Sequence, residues 1–427
     1  EGRAEIRVKR AGATGRDGWV PSQHAGRVAQ VRRAARMQVV GTETAFEVLA
    51  RVAEAERQGR SIVSFCIGEP DFPTPEAVKE AGIEAIRRNE THYSPSAGIW
   101  PLREAVAVHV TQTRGVPVAP EEVVITPGAK PIIFHSLLAV AGPGDEVVYP
   151  NPGFPIYESV IRLVGATPVP LPLREEAGFS FTPEDLEARV GPRTAMVIIN
   201  SPHNPTGSVV SQEALEALVR LAQRYDFWIL SDEIYSRIVY DEPHHSPYAL
   251  PGAKERTILL DGFSKAYAMT GWRIGYGVMP QALAEDVARL VTNAESCTAT
   301  FTQHAALAAL TGDQEPVRQM VEAFRARRDR MVQGLNRIPG IRCPVPQGAF
   351  YVFPNVTELV RAKGLKSARD LQEALLAEAG VAVLSRSAFG TPAPEEDQEY
   401  LRLSYATSME QIEEGLLRLE AYARSDG

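Results

Sequence analysis

From Val123 to Asp261 the chain alternates short apolar runs with segments of helical periodicity, and this alternation limits the possible folds more than any other feature. The apolar runs predict strands at 123–125, 146–149, 167–171, 195–200, 228–230 and 257–261. Helices are predicted between the earlier strands, at 131–140, 157–164, 183–190 and 212–225. Apolar strands that alternate with helices are typical of a largely parallel sheet covered on both faces. The sequence therefore predicts an α/β domain, which we place at residues 80–315.

The segments on either side of this domain follow a different pattern. An amphipathic helix is predicted at Phe46–Gln58 and a buried strand at Ile62–Ile67, whereas strands and helices after the α/β domain no longer alternate simply. We predict a smaller α+β domain at residues 316–427, to which residues 28–79 contribute. Residues 1–27 are basic and poor in acids, and we expect a flexible extension there, with an organellar transit peptide as the alternative.

Composition excludes several classes of protein. The formal net charge of −8 removes the electrostatic basis for nucleic-acid binding. The three cysteines are widely spaced and show no C-x-x-C pair, so neither a disulfide framework nor a metal site is expected. No run approaches the roughly 18 apolar residues of a membrane-spanning helix. We expect a cytoplasmic protein that spans no membrane.

Polar residues follow four of the predicted strands where each strand ends. They offer backbone amides before a helix, a side-chain amide, an acid with a phenol, and a lysine with an arginine, at 126–130, 201–207, 231–235 and 262–276. Each segment alone is explained by a turn, a helix cap or a solvated lysine. Ligands of open α/β sheets bind outside the carboxyl ends of the strands, however, so four such ends together predict one binding site.

Four motifs, in this order, resemble the class I/II aminotransferases of fold type I. The motifs are N-P-x-x-P-x-Y at Asn151–Tyr157, S-P-H-N-P-T-G at Ser201–Gly207, S-D-E-I-Y at Ser231–Tyr235 and F-S-K-x-x-x-x-x-G-W-R-I-G-Y at Phe263–Tyr276. The resemblance extends from about residue 40 to the C-terminus and is similar to the bacterial branch that contains many aspartate aminotransferases. It implies a mostly parallel central sheet, a smaller α+β domain and the cofactor pyridoxal 5′-phosphate.

The resemblance also implies roles for the residues at the strand ends. Lys265 would bind the cofactor covalently and move the substrate's α-proton, which requires surroundings that lower its pKa. Asp232 would pair with the pyridinium nitrogen, and Asn204 and Tyr235 would hydrogen-bond the 3′-oxygen. Phe154 would stack on the ring. The phosphate would be bound by the backbone of Gly128, Ala129 and Lys130, by the side chains of Ser264 and Arg273 and, from the neighbouring subunit, by Tyr93.

Substrate contacts are assigned on the same basis. Arg402 would grip the α-carboxylate bidentately, Asn204 would be a further substrate contact, and Gly68 would leave room for that carboxylate by backbone contact. Lys130 would either meet the distal carboxylate of an acidic donor or serve only the phosphate turn. Aspartate is therefore the first expected donor, with broad or aromatic specificity left open, and a 2-oxo acid such as 2-oxoglutarate is the expected acceptor in a ping-pong cycle.

Two other functions are alternatives to transamination. A β-lyase or synthase on the same scaffold would keep Lys265, Asp232 and Arg402 and would differ only in which substrate bond is aligned with the cofactor ring. A cofactor-binding regulator would need a DNA-binding domain, for which the N-terminal segment has neither the length nor the pattern. Because Tyr93 is expected to act across an interface, a homodimer with shared active sites is predicted.

Overall fold

The structure, a computed structural model, describes residues 32–41 and 43–425. The extension predicted at residues 1–27 lies outside the described residues. Twelve strands and thirteen α-helices form the described part of the chain, together with short 3₁₀ segments and a π-helical segment at Leu375–Ala379. No helix in these two ranges is both long and apolar enough to cross a membrane.

The strands and helices are numbered in chain order. The strands are β1 Val63–Ser64, β2 Val123–Thr126, β3 Glu146–Asn151, β4 Thr167–Pro172, β5 Thr194–Asn200, β6 Trp228–Asp232, β7 Thr257–Gly262, β8 Gly275–Val278, β9 Tyr351–Val352, β10 Val381–Ala382, β11 Leu384–Ser385 and β12 Leu401–Ser404. The helices are α1 Thr44–Arg57, α2 Glu76–Arg87, α3 Trp100–Arg114, α4 Lys130–Val140, α5 Ile156–Leu163, α6 Pro183–Glu187, α7 Gln212–Tyr225, α8 Gln281–Ala294, α9 Thr300–Thr311, α10 Glu315–Leu335, α11 Thr357–Ala362, α12 Ala368–Ala374 and α13 Met409–Arg424.

Seven strands form the central sheet, in the order β2-β8-β7-β6-β5-β3-β4. Strands β4, β3, β5, β6 and β7 run parallel, which confirms the predicted mostly parallel sheet. Strand β8 runs antiparallel to both β7 and β2, so the carboxyl end of β2 lies at the same edge as those of the parallel strands. The sheet therefore brings the four predicted segments to one edge.

Alternate residues of the strands pack into different apolar clusters, one on each face of the sheet. Val123 and Ile125 of β2 pack with helices α2, α3 and α9, whereas Val124 between them packs with α4, α5 and α8. Side chains of a strand point to opposite faces in turn, so both faces of this sheet are covered by helices. The doubly covered sheet matches the α/β prediction.

Two smaller sheets lie outside the central one. Strand β1 pairs in parallel with β10, and β12 lies between β11 and β9 in an antiparallel sheet. The N-terminal strand thus pairs with a strand from the last third of the chain. The strand predicted at Ile62–Ile67 is correct in place, but the observed strand is only two residues long. The rest of the buried apolar run lies outside the pairing with β10.

Candidate active site

A cavity of 430 Å³ opens at the carboxyl ends of β3, β5, β6 and β7. Most of the predicted site residues line it, namely Gly68, Ala129, Lys130, Phe154, Asn204, Asp232, Tyr235, Ser264, Lys265, Arg273 and Arg402. Gly128 lies directly behind Arg273 rather than in the cavity wall. Tyr93 lies outside the cavity, with 89% of its surface exposed. Residues that are up to 334 positions apart in the sequence, Gly68 and Arg402, therefore meet in one place.

Lys265 follows β7 and points into the cavity. Its Nζ donates a hydrogen bond to the carbonyl of Gly68 at 2.5 Å. Burial, together with the nearby cations Lys130 and Arg402 and against the opposing charge of Glu69, lowers the pKa of Lys265 to about 8. A lysine with such a pKa is partly neutral near pH 8 and can act as a nucleophile or a base.

Asp232 is the last residue of β6 and is buried. Its carboxylate accepts a hydrogen bond from the Tyr157 hydroxyl at 2.6 Å and one from the backbone N–H of Ile234 at 3.2 Å. Burial raises the pKa of Asp232 to about 6, although both hydrogen bonds oppose the shift. Sequence analysis assigned Tyr157 no role, even though it closes the N-P-x-x-P-x-Y motif. In the structure it is the side chain that holds the buried acid.

Two buried phenols lie beside Lys265. The hydroxyls of Tyr235 and Tyr351 are 2.7 Å apart, and burial raises the pKa of Tyr235 well above its usual value. A Cβ atom at position 68 would lie 1.9 Å from the Tyr351 hydroxyl, so Gly68 is required for this close approach. Sequence analysis missed Tyr351, for which the phenol within the apolar run 348–353 was the only available signal.

Arg402 lies on β12, and only 4% of its surface is exposed. One of its nitrogens donates to the side-chain oxygen of Asn204 at 3.1 Å, another donates to the carbonyl of Cys66, and its guanidinium lies 4.6 Å from the centre of the Tyr351 ring. Its Nε is buried without a partner within the described ranges. A buried cation without a carboxylate is costly, so this arrangement fits an anionic ligand.

A second anion-binding position lies between β2 and α4. Gly128 has φ +88°, and a Cβ there would lie 2.3 Å from a terminal nitrogen of Arg273. Helix α4 begins at Lys130 without a side-chain cap on its first amides. Strand β8 passes against this turn because Gly275 has no side chain; a Cβ at that position would lie 2.6 Å from the nitrogen of Ala129. Uncapped amides, the guanidinium of Arg273 and the hydroxyl of Ser264 suit a phosphate group.

Lys130 has a partner that the sequence did not indicate. Its Nζ forms an ion pair with the carboxylate of Glu43, which lies just before α1, and is 5.2 Å from the centre of the Phe154 ring. Both residues line the cavity. The sequence left open whether Lys130 meets a substrate carboxylate or serves the phosphate turn, and the structure shows its ammonium group bound to a carboxylate of the chain itself.

The fold and the cavity together define an α/β enzyme with a reactive lysine, a buried acid and two anion-binding positions. The family profile described as aminotransferase class I and II matches residues 60–419, so the chain belongs to that family and is an aminotransferase. Over 391 residues it is 39% identical to a probable aspartate/prephenate aminotransferase from Aquifex aeolicus, covering 91% of this chain and 97% of the relative.

Solved structures agree with this assignment. The aspartate aminotransferase from Rhizobium meliloti superposes with a TM-score of 0.86 at 37% identity, covering 92% of this chain and 98% of that one. The aspartate aminotransferase from Thermus thermophilus with maleate superposes with a TM-score of 0.85 at 38% identity, covering 91% and 99%. The fold type I architecture predicted from the motifs is thereby confirmed.

Proposed function

We propose that this aminotransferase binds pyridoxal 5′-phosphate on Lys265 and transfers an amino group from an L-amino acid to a 2-oxo acid by a ping-pong cycle. The observation that carries the proposal is an amine of lowered pKa between a buried acid and two anion-binding positions. When bound, the cofactor supplies a ring that accepts electrons from the substrate. The residues present fit it, because the cavity offers an amine for its aldehyde and donors for its phosphate.

Three side chains take the central roles in this proposal. Lys265 holds the cofactor and, once released, moves the α-proton of the substrate. Asp232 faces the ring nitrogen and keeps its proton in place. The positive charge of the protonated nitrogen favours the ionised form of the acid despite its burial. Tyr157 holds that carboxylate by its 2.6 Å hydrogen bond.

The remaining contacts follow the positions of the side chains around the cavity. Asn204 and Tyr235 bind the 3′-oxygen, and Phe154 stacks on the ring. The phosphate is bound by the backbone amides of Gly128, Ala129 and Lys130 and by the side chains of Ser264 and Arg273. Arg402 binds the substrate α-carboxylate, which is supported by its burial without a carboxylate partner among the described residues. Gly68 adjoins this position through its backbone.

Aspartate is the first donor in this proposal, with 2-oxoglutarate as acceptor. Lys130 lies at the cavity wall, where its ammonium group suits a distal carboxylate, and both solved structures above are described as aspartate aminotransferases. A second candidate is an aminotransferase of broad or aromatic preference. It is favoured by the Glu43 carboxylate on Lys130 and by the apolar side chains of Ile133, Leu384 and Phe389 in the same cavity.

The test combines chemistry with product analysis. Borohydride reduction of the loaded enzyme, followed by peptide mapping, should place the pyridoxyl group on Lys265; finding it on Lys130 would refute the assignment. Spectral titration with a panel of amino acids should then identify the donors. Formation of a 2-oxo acid with stoichiometric amination of the acceptor marks the transferase, whereas release of ammonia or a thiol would indicate a β-lyase.

We also propose a homodimer with shared active sites that works in the cytoplasm. Support comes from exposed large apolar and aromatic side chains on α2 and α3, the helices that flank Tyr93 in the sequence, at Ile83, Ile86, Trp100 and Val108. Inactive Tyr93→Ala and Lys265→Ala protomers should then partially restore activity when mixed, because hybrid dimers contain one complete site. Verified hybrids without any activity would argue for self-contained sites.

A further inference from the structure

The cations of the cavity fall into two groups. Lys265, Arg273 and Arg402 have no carboxylate of the described chain within 4.0 Å, and each is placed where the proposed function requires a ligand group. Lys130 differs, because its ammonium group is already bound to Glu43. The cations that must bind the cofactor or the α-carboxylate therefore have no carboxylate partner among the described residues. Lys130 is the cation of the cavity that Glu43 neutralises.

Glu43 is directed at Lys130 rather than at its own helix. It occupies the residue before α1, yet its carboxylate caps none of the first amides of that helix. Its side chain is only 17% exposed, against 43% for Lys130, so the carboxylate is the more enclosed partner. Glu43 also lies outside the residues that match the family profile, 60–419, so the ion pair is not part of what that profile describes.

We propose that Glu43 is a specificity-determining residue that weakens the preference for acidic substrates by occupying Lys130. The inference rests on the proposed function, in which Lys130 faces the substrate side chain. An acidic side chain must displace the Glu43 carboxylate from the ammonium group, which breaks the ion pair, or lie beside it, which places two like charges close together. Neutral side chains meet no such penalty. Selectivity is a difference between affinities, and the Glu43 carboxylate lowers the affinity for acidic substrates only.

The residues that line the cavity around the ion pair indicate which substrates are favoured. Ile133, Phe154, Leu384 and Phe389 give the cavity apolar walls, with Ala45 of α1 next to the ion pair. An apolar or aromatic side chain can pack against these walls while the ion pair stays intact. The substrate class inferred for this chain is therefore a mixture of acidic and neutral, including aromatic, amino acids rather than acidic ones alone.

The experiment replaces Glu43 with Gln and uses Glu47→Gln as a matched control, since Glu47 is an exposed acid in the first turn of α1. The quantity to compare is the ratio of kcat/KM for aspartate to that for phenylalanine. Glu43→Gln should raise the ratio by roughly tenfold, and Glu47→Gln should leave it unchanged. In a Lys130→Met background the effect of Glu43→Gln should disappear, because the cation that acidic substrates need is gone.

A binding measurement separates this inference from the proposed function. Spectral titration of the loaded enzyme with maleate, a dicarboxylate, and with 3-phenylpropionate, a monocarboxylate, needs no turnover. Glu43→Gln should tighten maleate binding and leave 3-phenylpropionate unchanged. If both the kinetic ratio and maleate binding stay at wild-type values in a variant with unchanged Tm, the role of Glu43 is refuted. If maleate binding tightens but no amino acid is transaminated, the proposed function fails and the role of Glu43 stands.

Discussion

Asp232 and Glu233 are neighbours in the chain, yet they belong to two regions that treat charge in opposite ways. Asp232 faces the cavity, where burial raises its pKa to about 6. Glu233 faces away from the cavity and receives hydrogen bonds from Arg114 at 2.7–2.9 Å, His244 at 2.9 Å, Ser231 at 2.9 Å and Ser246. Burial alone would raise the pKa of Glu233, but Arg114 and His244 lower it to about 2.

The second region is a closed network that joins the ends of β6 and β7. Arg114 of α3 contacts Glu233 and lies 3.8 Å from Asp261, which also accepts a hydrogen bond from Ser236 at 2.8 Å. Arg114 is the cationic partner of both acids, so the network needs no ligand, although burial still raises the pKa of Asp261 to about 7. In the cavity, Lys265 and Arg402 have no carboxylate partner within the described ranges. The comparison indicates that charges with an oppositely charged partner in the chain are structural, whereas charges without such a partner act on ligands.

The strongest test of this distinction is removal of the unpaired amine. Lys265→Ala should lower transamination by at least about 10⁴-fold, because both covalent binding and proton transfer depend on that amine. Its Tm should stay close to that of wild type, since Lys265 forms no ion pair with the residues that the structure describes. Lys366→Ala, an exposed control that likewise has no ion pair within the described ranges, should change neither quantity. Substantial turnover by Lys265→Ala would place the chemistry on another residue.

The next largest effect should come from the acid that faces the cavity. Asp232→Asn should retain the cofactor yet lose several kcal/mol of transition-state stabilisation, at about tenfold in rate for each 1.4 kcal/mol, because an amide cannot hold the proton of the ring nitrogen. The measurements are kcat/KM and the cofactor absorbance. Near-normal turnover would mean that Asp232 is a structural residue like its neighbour.

Glu233→Gln should show the opposite pattern, with stability lost and chemistry kept. Breaking one partner of a buried ion pair costs about 3–5 kcal/mol, whereas the cavity residues keep their places. The pKa of Glu233 is lower in the folded protein than in the unfolded chain, so its stabilisation is present above the unfolded pKa and is lost as pH falls towards 2. The wild-type Tm should therefore fall between about pH 5 and pH 2 more steeply than that of Glu233→Gln.

Arg402→Ala should weaken all donors alike, by the few kcal/mol that a charge-assisted bidentate contact carries. The α-carboxylate is common to every amino acid, so the ratio of kcat/KM for aspartate, alanine and phenylalanine should not change. A selective loss for one donor would show that Arg402 contacts the substrate side chain instead.

The sequence predicted the central sheet closely because its buried strands are apolar throughout. It missed β8, whose Gly-Tyr-Gly-Val sequence carries glycines that allow close approach to the turn at Ala129 and to Ile132. The strand-end motifs indicated most of the cavity, because each motif lies directly after a strand. No local pattern could indicate the ion pair of Glu43 with Lys130, since the two residues are 87 positions apart and meet only in the folded chain.

The smallest predicted effect concerns Tyr351, which the sequence also left without a role. Its hydroxyl has one hydrogen-bond partner among the described residues, the hydroxyl of Tyr235 at 2.7 Å. When Tyr351 donates, the proton of Tyr235 is free for the cofactor's 3′-oxygen. Tyr351→Phe keeps the ring beneath Arg402 and removes only this donor, so kcat/KM should fall by roughly the 0.5–1.5 kcal/mol of one hydrogen bond, or about 2- to 13-fold. The effect should be equal for aspartate and phenylalanine, because the 3′-oxygen is the same for both.

Tyr235→Phe should cause a larger loss, and adding Tyr351→Phe to it should cost little more, since the two hydroxyls act in series. Additive losses in the double variant would show that Tyr351 acts independently of Tyr235, through packing against Gly68 or Arg402.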